Sequence, residues 1–201
     1  MCPEVAGPAP GEPRRGFLVL DVLRPQAGTM DQPAPLLVVM GVSGSGKTTV
    51  GRLLAEVLDV PFAEGDAFHP WSNISKMLSG RPLTDADREP WLDELGHWLK
   101  DHDRRGGVLS CSALKRAYRD RLRSYAPRAR FVHLHGPTEL LTSRVQDRAP
   151  HFMPPSLLDS QLAVLEPLQP DEDGATLTIG PNPSTLTHHA LVALNLTPAH
   201  P

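Results

Sequence analysis

The apolar pattern of the chain changes abruptly at residue 36. Leu36, Leu37, Val38, Val39 and Met40 follow one another without a polar break, as in a parallel strand buried on both faces. A Gly-rich turn comes next, and Val50, Leu53, Leu54, Val57 and Leu58 then recur at helical spacing. Shorter apolar runs at 60–63, 108–111, 131–134 and 176–179 predict further strands. Between them, Trp91, Leu95, Trp98 and Leu99 share a helical face, with Pro90 suited to the first turn. Pro137 opens another helical stretch with Leu140, Leu141 and Val145, and Arg144 and Arg148 stand four apart on a second face. A short apolar helix is expected around 186–194. Strands alternating with helices predict an α/β fold of three layers, a parallel sheet flanked by helices. No internal repeat is visible.

Composition sharpens the boundaries. Of 201 residues, 40% are hydrophobic and 21% charged, enough for a buried core, and no run of 18 apolar residues exists to span a membrane. Prolines number 22, and seven of them fall within residues 1–35. That stretch reads as a disordered Pro-rich leader, with Phe17-Leu18-Val19-Leu20 as its one strand-like run. It resembles neither a secretory signal nor a transit peptide, carrying Glu4, Glu12 and Asp21 and no Ser. Met30 stands just before the first core strand, so the leader is open to reading as an upstream extension of a shorter protein. The domain is expected over 36–197, with a tail at 198–201. Asn195-Leu196-Thr197 matches a glycosylation pattern that lacks a secretory context. Two cysteines exclude a disulfide-stapled fold, and a net charge of −3 argues against nucleic acid as partner. A cytoplasmic protein without a membrane partner is expected.

The chemistry begins in the turn after the first strand. Gly41-Val42-Ser43-Gly44-Ser45-Gly46-Lys47-Thr48, with Thr49 behind it, fits the phosphate-binding pattern G-x-x-x-x-G-K-[ST] in full. Glycines let backbone N–H groups converge on phosphates, and the helix N-terminus adds its positive end. Lys47 would reach the β and γ oxygens, and the Thr48 hydroxyl would take a place on Mg²⁺. ATP and Mg²⁺ are therefore the expected cofactors. No N-K-x-D guanine-reading tetrapeptide occurs, and the domain is too short for a large motor ATPase. A compact kinase remains. Asp66, in Gly65-Asp66-Ala67-Phe68-His69-Pro70, would stand at the carboxyl end of a second strand, placed to orient an acceptor hydroxyl and take its proton.

Three further stretches carry a resemblance: residues 65–70, 73–92 and 111–120, which match G-D-x-x-H-P, N-x-x-K-M-x-x-G-x-P-L-x-D-x-D-R-x-P-W-L and C-S-A-L-K-x-x-Y-R-D. With His151-Phe152-Met153-Pro154 through Gln161, they make the chain resemble the P-loop gluconate kinases over roughly residues 36–170. The resemblance implies transfer of the ATP γ-phosphoryl group to the 6-hydroxyl of D-gluconate. It also implies a substrate region at 65–92, a small helical lid at about 148–165, and suggests a homodimer. An anionic polyol needs cations for its carboxylate, which Lys76, Arg81, Arg88 and Lys115 can supply, Arg88 first because a guanidinium forks onto two oxygens. Asp66, His69 and Ser112 suit its hydroxyls. Lid arginines, Arg148 before Arg144, would meet the phosphates, and His151 is placed near substrate.

Some features stand apart from that pattern. The basic run at 115–130 holds seven Lys or Arg and one acid, and reads as a solvated helix face apart from Lys115, which begins the helix at the site edge. Pro150 stands where the resembling kinases have a small flexible residue. Gly180-Pro181 ends the last strand where an acidic or polar residue is expected near adenine, and the third strand ends without an acid for Mg²⁺. The rivals are a shikimate-type or nucleotide kinase and a nucleotide-dependent binding module without turnover.

Overall fold

The computed structural model describes residues 33–147, 156–180 and 182–200. The leader before Pro33, with the run at 17–20 and Met30, lies outside the described residues, as do Arg148, Pro150, His151 and Pro181. Five strands form one sheet: β1 (Leu36–Met40), β2 (Phe62–Glu64), β3 (Gly107–Ser110), β4 (Arg130–His135) and β5 (Gly174–Thr178). Every pairing is parallel and the order is β2-β3-β1-β4-β5. The helices are α1 (Lys47–Leu58), α2 (Trp71–Leu78), α3 (Asp85–Asp101), α4 (Arg116–Tyr125), α5 (Thr138–Gln146), α6 (Ser156–Val164) and α7 (Pro183–Ala193).

Alternation along the strands sorts the core into two sides. Leu37, Val39, Val132 and Leu134 pack with Val50 and Leu54 of α1 and Leu186 and Ala190 of α7. Leu36, Val38, Met40, Leu109 and Phe131 pack with Trp91, Leu95 and Leu99 of α3 and Leu122 of α4. Because β1 is central and covered on both faces, all five of its residues are buried, which is why its sequence shows no alternation. The folded unit reaches past both expected ends. Arg128 donates to the Ala34 carbonyl at 2.8 Å, Gly107 N–H to that of Pro35 at 2.9 Å, and Ala199 N–H to that of Val57 at 2.9 Å.

The structure corrects two expectations. Pro90 is not in a first turn: α3 starts five residues earlier, at Asp85, and holds Pro90 inside it. Thr84 and Asp87 form a capping box, the Thr84 side chain accepting from Asp87 N–H and Asp87 accepting from Thr84 N–H. That cap sets the helix start and tolerates an exposed proline whose missing N–H leaves one carbonyl to water. The basic run is not simply a solvated face either. Arg119 is wholly buried, its fork on both oxygens of Glu172 at 2.7 Å, with further donations to the carbonyls of Ala113 and Glu166 at 3.2 and 3.0 Å. Burial pushes the Glu172 carboxyl up, but hydrogen bonds from Arg119, Gln169 N–H and Arg123 outweigh it and hold it at about 2. β2 also starts two residues later and ends one later than expected, at Phe62–Glu64, and β5 starts two residues earlier and ends one earlier, at Gly174–Thr178.

The buried charges of this core make its stability open to test. Arg119→Ala leaves a buried carboxylate short of its main partner, and should cost about 3–5 kcal/mol in urea unfolding. His133 on β4 is 2% exposed with neither ring nitrogen hydrogen-bonded, and burial, helped by His135 and Arg119, pushes its imidazole down to about 4. Between that value and the ordinary 6.5 the unfolded chain binds the extra proton. Stability should therefore fall as pH drops through this window, by up to about 1.4 kcal/mol per pH unit, and His133→Leu should flatten it.

Candidate active site

The sheet is parallel, so the carboxyl ends of β1, β2 and β3 open on one edge, and each releases a piece of the site there. From β1 the chain enters the turn 41–46. Gly41 adopts a φ of 140°, and a Cβ there would strike the Leu134 carbonyl. Gly44 has a φ of 79° with the Leu141 carbonyl 2.9 Å from any added Cβ. Side chains are thus excluded at both positions by backbone conformation and by close neighbours. Gly46 caps α1 in the left-handed conformation, and Lys47 Nζ donates to the Val42 carbonyl at 3.0 Å, folding over the turn. From β3 the chain gives Ser112, whose carbonyl accepts from Gly41 N–H at 3.3 Å.

Asp66 comes from β2 through a single 3₁₀ turn, Gly65–Phe68. Gly65 lies so close to β3 that a Cβ would overlap the Ser110 carbonyl, and its own carbonyl accepts from Trp91 Nε1 at 2.7 Å. Those contacts fix the turn that carries Asp66. Beside it, His69 stacks on Trp91 with ring centroids 4.3 Å apart. Burial lowers the His69 imidazole from its usual value, against an opposing contribution from Asp66. Asn73, buried, donates to the Asp87 carbonyl at 2.7 Å and lies 3.4 Å from His69 Nδ1. An amide nitrogen can only donate, so in this contact Nδ1 is on the accepting side.

A cleft of about 310 Å³ gathers Ser43, Lys47, Asp66, His69, Arg88 and Ser112. Its other walls are Ile74, Met77, Pro82, Leu83, Trp91 and Gln161, which sequence reasoning did not single out as site residues. Trp91 and Asn73 do stand inside the motif at 73–92. For Gln161 the available signal was its place at the end of the motif at 151–161. Arg88 is held by its own backbone, Nη1 donating to the Leu83 carbonyl at 2.7 Å. Lys76, Arg81 and Lys115 do not line this cleft. Lys76 is 2.5 Å from Asp87, Lys115 is 2.7 Å from Asp85, and exposed Arg81 donates to Ser79 Oγ at 3.0 Å.

A second cavity of about 240 Å³ runs along the rest of the turn, where Gly44, Ser45, Gly46 and Thr49 face Arg144, Pro183 and Leu186. Thr48 lies at the start of α1, half-buried. No group of three or more His, Cys, Asp or Glu suited to a metal occurs among the described residues. A divalent ion would therefore be shared between Thr48 and phosphate oxygens rather than caged by protein, a donor set that suits Mg²⁺.

Known proteins share this arrangement. The family model described as shikimate kinase matches residues 43–166. The gluconokinase of Gluconobacter oxydans is 54% identical over 138 residues, covering 68% of this chain and 78% of its own. The thermosensitive gluconokinase of Escherichia coli is 46% identical over 67% of this chain and 73% of its own. A crystal structure of a gluconokinase from Sinorhizobium meliloti superposes with a TM-score of 0.75 at 46% identity, over 82% of this chain and 93% of that one. Matches of this extent, on a cleft that joins the lysine of the glycine-rich turn to a strand-end carboxylate, establish that the chain belongs to the gluconokinase family of shikimate kinase-type P-loop kinases.

Proposed function

We propose that the protein transfers the γ-phosphoryl group of ATP to the 6-hydroxyl of D-gluconate, giving 6-phospho-D-gluconate and ADP. The observation that carries this reading is that Lys47 and Asp66 line one cleft with Arg88 on its wall. Asp66 orients the acceptor hydroxyl and takes its proton as the new O–P bond forms and the bond to the β-phosphate oxygen breaks. Lys47 neutralises charge on the oxygens that bridge the two phosphates. Arg88 receives the gluconate carboxylate, and His69 and Ser112 meet the hydroxyls between. Lys76 and Lys115 serve at one remove, holding Asp87 and Asp85 of the helix that carries Arg88.

The second cavity takes the adenine end of the nucleotide, between Arg144 and Pro183. Thr48 would hold Mg²⁺, which supplies charge neutralisation when bound. A homodimer and a cytoplasmic setting belong to the same reading. No helix among the described residues is long and apolar enough to cross a membrane.

ADP release by purified protein across gluconate, shikimate and nucleoside monophosphates tests the reading. Turnover is expected with gluconate alone, and tight ATP binding without turnover on any acceptor would overturn it. Asp66→Asn should lower kcat by about 10²- to 10⁴-fold with little change in the KM for ATP. Arg88→Ala should instead raise the KM for gluconate by about 10- to 100-fold, the loss expected for a charged hydrogen bond.

A further inference from the structure

One contact on the cleft wall joins the phosphate turn to the helix that overhangs it. Gln161, on α6, lines the cleft beside Lys47 and Asp66, and its carboxamide oxygen accepts a hydrogen bond from Ser43 N–H at 2.7 Å. The donor is a backbone amide, so the facing side-chain atom must be the oxygen. Ser43 belongs to the turn that binds phosphate. Within that turn Ser43 and Lys47 face the acceptor cleft, whereas Gly44, Ser45, Gly46 and Thr49 face the second cavity. The phosphoryl group to be transferred must lie next to the acceptor, so it sits on the Ser43 side. The two phosphates that remain with the nucleoside lie along the other stretch.

We propose that Gln161 is a positioning residue that occupies the γ-phosphate position of the turn when no triphosphate is bound, its carboxamide oxygen holding Ser43 N–H and yielding it only to a γ-phosphate oxygen. This rests on the kinase reading and names the protein group that a triphosphate must displace on the acceptor side of the turn. The physics favours the exchange, because an anionic phosphate oxygen is a stronger acceptor than a neutral carboxamide. A diphosphate ends short of the amide and leaves the contact intact. The contact between Gln161 and Ser43 N–H is then made in the resting and product states and exchanged for the γ-phosphate when triphosphate arrives.

The base of α6 is fixed independently of this contact. Glu166 N–H donates to the Leu114 carbonyl at 2.8 Å, and Arg119 holds the Glu166 carbonyl at 3.0 Å. Leu158 and Leu162 also hold α6 on the core, so exchange of the Gln161 contact frees the Ser43 amide without detaching the helix.

Calorimetric titration of ATP and ADP into the wild-type protein, Gln161→Glu and Gln161→Ala tests this without requiring turnover. In Gln161→Glu a fixed anion competes for the amide and repels the γ-phosphate. Its ATP affinity should fall by about tenfold or more while its ADP affinity changes about threefold or less. In Gln161→Ala the competitor is gone, and the ATP-to-ADP affinity ratio should rise by about 3- to 10-fold. Equal changes for both nucleotides, or none, would overturn the inference by giving Gln161 a merely structural role. Failure of the wild-type protein to bind either nucleotide would instead sink the kinase reading on which it rests.

Discussion

Everything at this site depends on a short stretch of backbone whose amides belong neither to the sheet nor to a helix. Between Met40 and Lys47 the chain turns with Gly41, Gly44 and Gly46 at positive φ. In that shape consecutive N–H groups can point inward to a common centre, and the N-terminus of α1 adds its positive end. Such a turn is not stable by itself. It is held by its surroundings: Leu134 and Leu141 carbonyls crowd the glycines, and Ser112 accepts from Gly41. The buried parallel sheet thus acts as a frame that keeps a conformationally permissive glycine-rich loop in one conformation.

The same frame decides where acceptor chemistry can occur. β3 lies between β1 and β2, so the ends of three adjacent strands deliver the phosphate turn, Ser112 and Asp66 to one edge. The segment leaving β3 is held with unusual care. Ala113 adopts a φ of 43°, in the left-handed region that a residue with a Cβ avoids. Its carbonyl is gripped by buried Arg119, which also holds Glu166 at the foot of α6. One guanidinium therefore joins the floor of the cleft to the helix that overhangs it. A buried ion pair is weak evidence for net stability, and its geometry here points to registry between those two segments.

Much of this was legible because it is local. β1 is bounded as its unbroken apolar run implies, and α1 ends at Leu58 where its periodicity stops. The glycine-rich turn and the Asp66 segment could be placed at strand ends because each directly follows an apolar run. Start and stop signals in competition were harder: Pro90 looked like a helix opener until the Thr84–Asp87 box proved to begin α3 upstream. Charges were the least legible. Lys76, Arg88 and Lys115 were all candidates for the substrate carboxylate, Arg88 first, and only folding shows that Lys76 meets Asp87 while Lys115 and Arg88 meet Asp85, at 2.7 and 3.8 Å. Arg119 looked solvated because Glu172, its partner, lies 53 residues away.

The walls of the cleft bear on substrate choice as much as its charges do. A sugar acid is polar along its hydroxyls but presents C–H faces between them, and a site made only of charges would leave those faces against tightly hydrated groups. Here Ile74, Met77, Leu83 and Trp91 supply apolar surface opposite Lys47, Asp66 and Ser112. Trp91 is anchored twice, by its indole N–H to Gly65 and by stacking on His69. The ring that shapes the acceptor wall is therefore tied to the turn that carries Asp66. The apolar wall and the turn that carries Asp66 are linked at two points, Gly65 and His69.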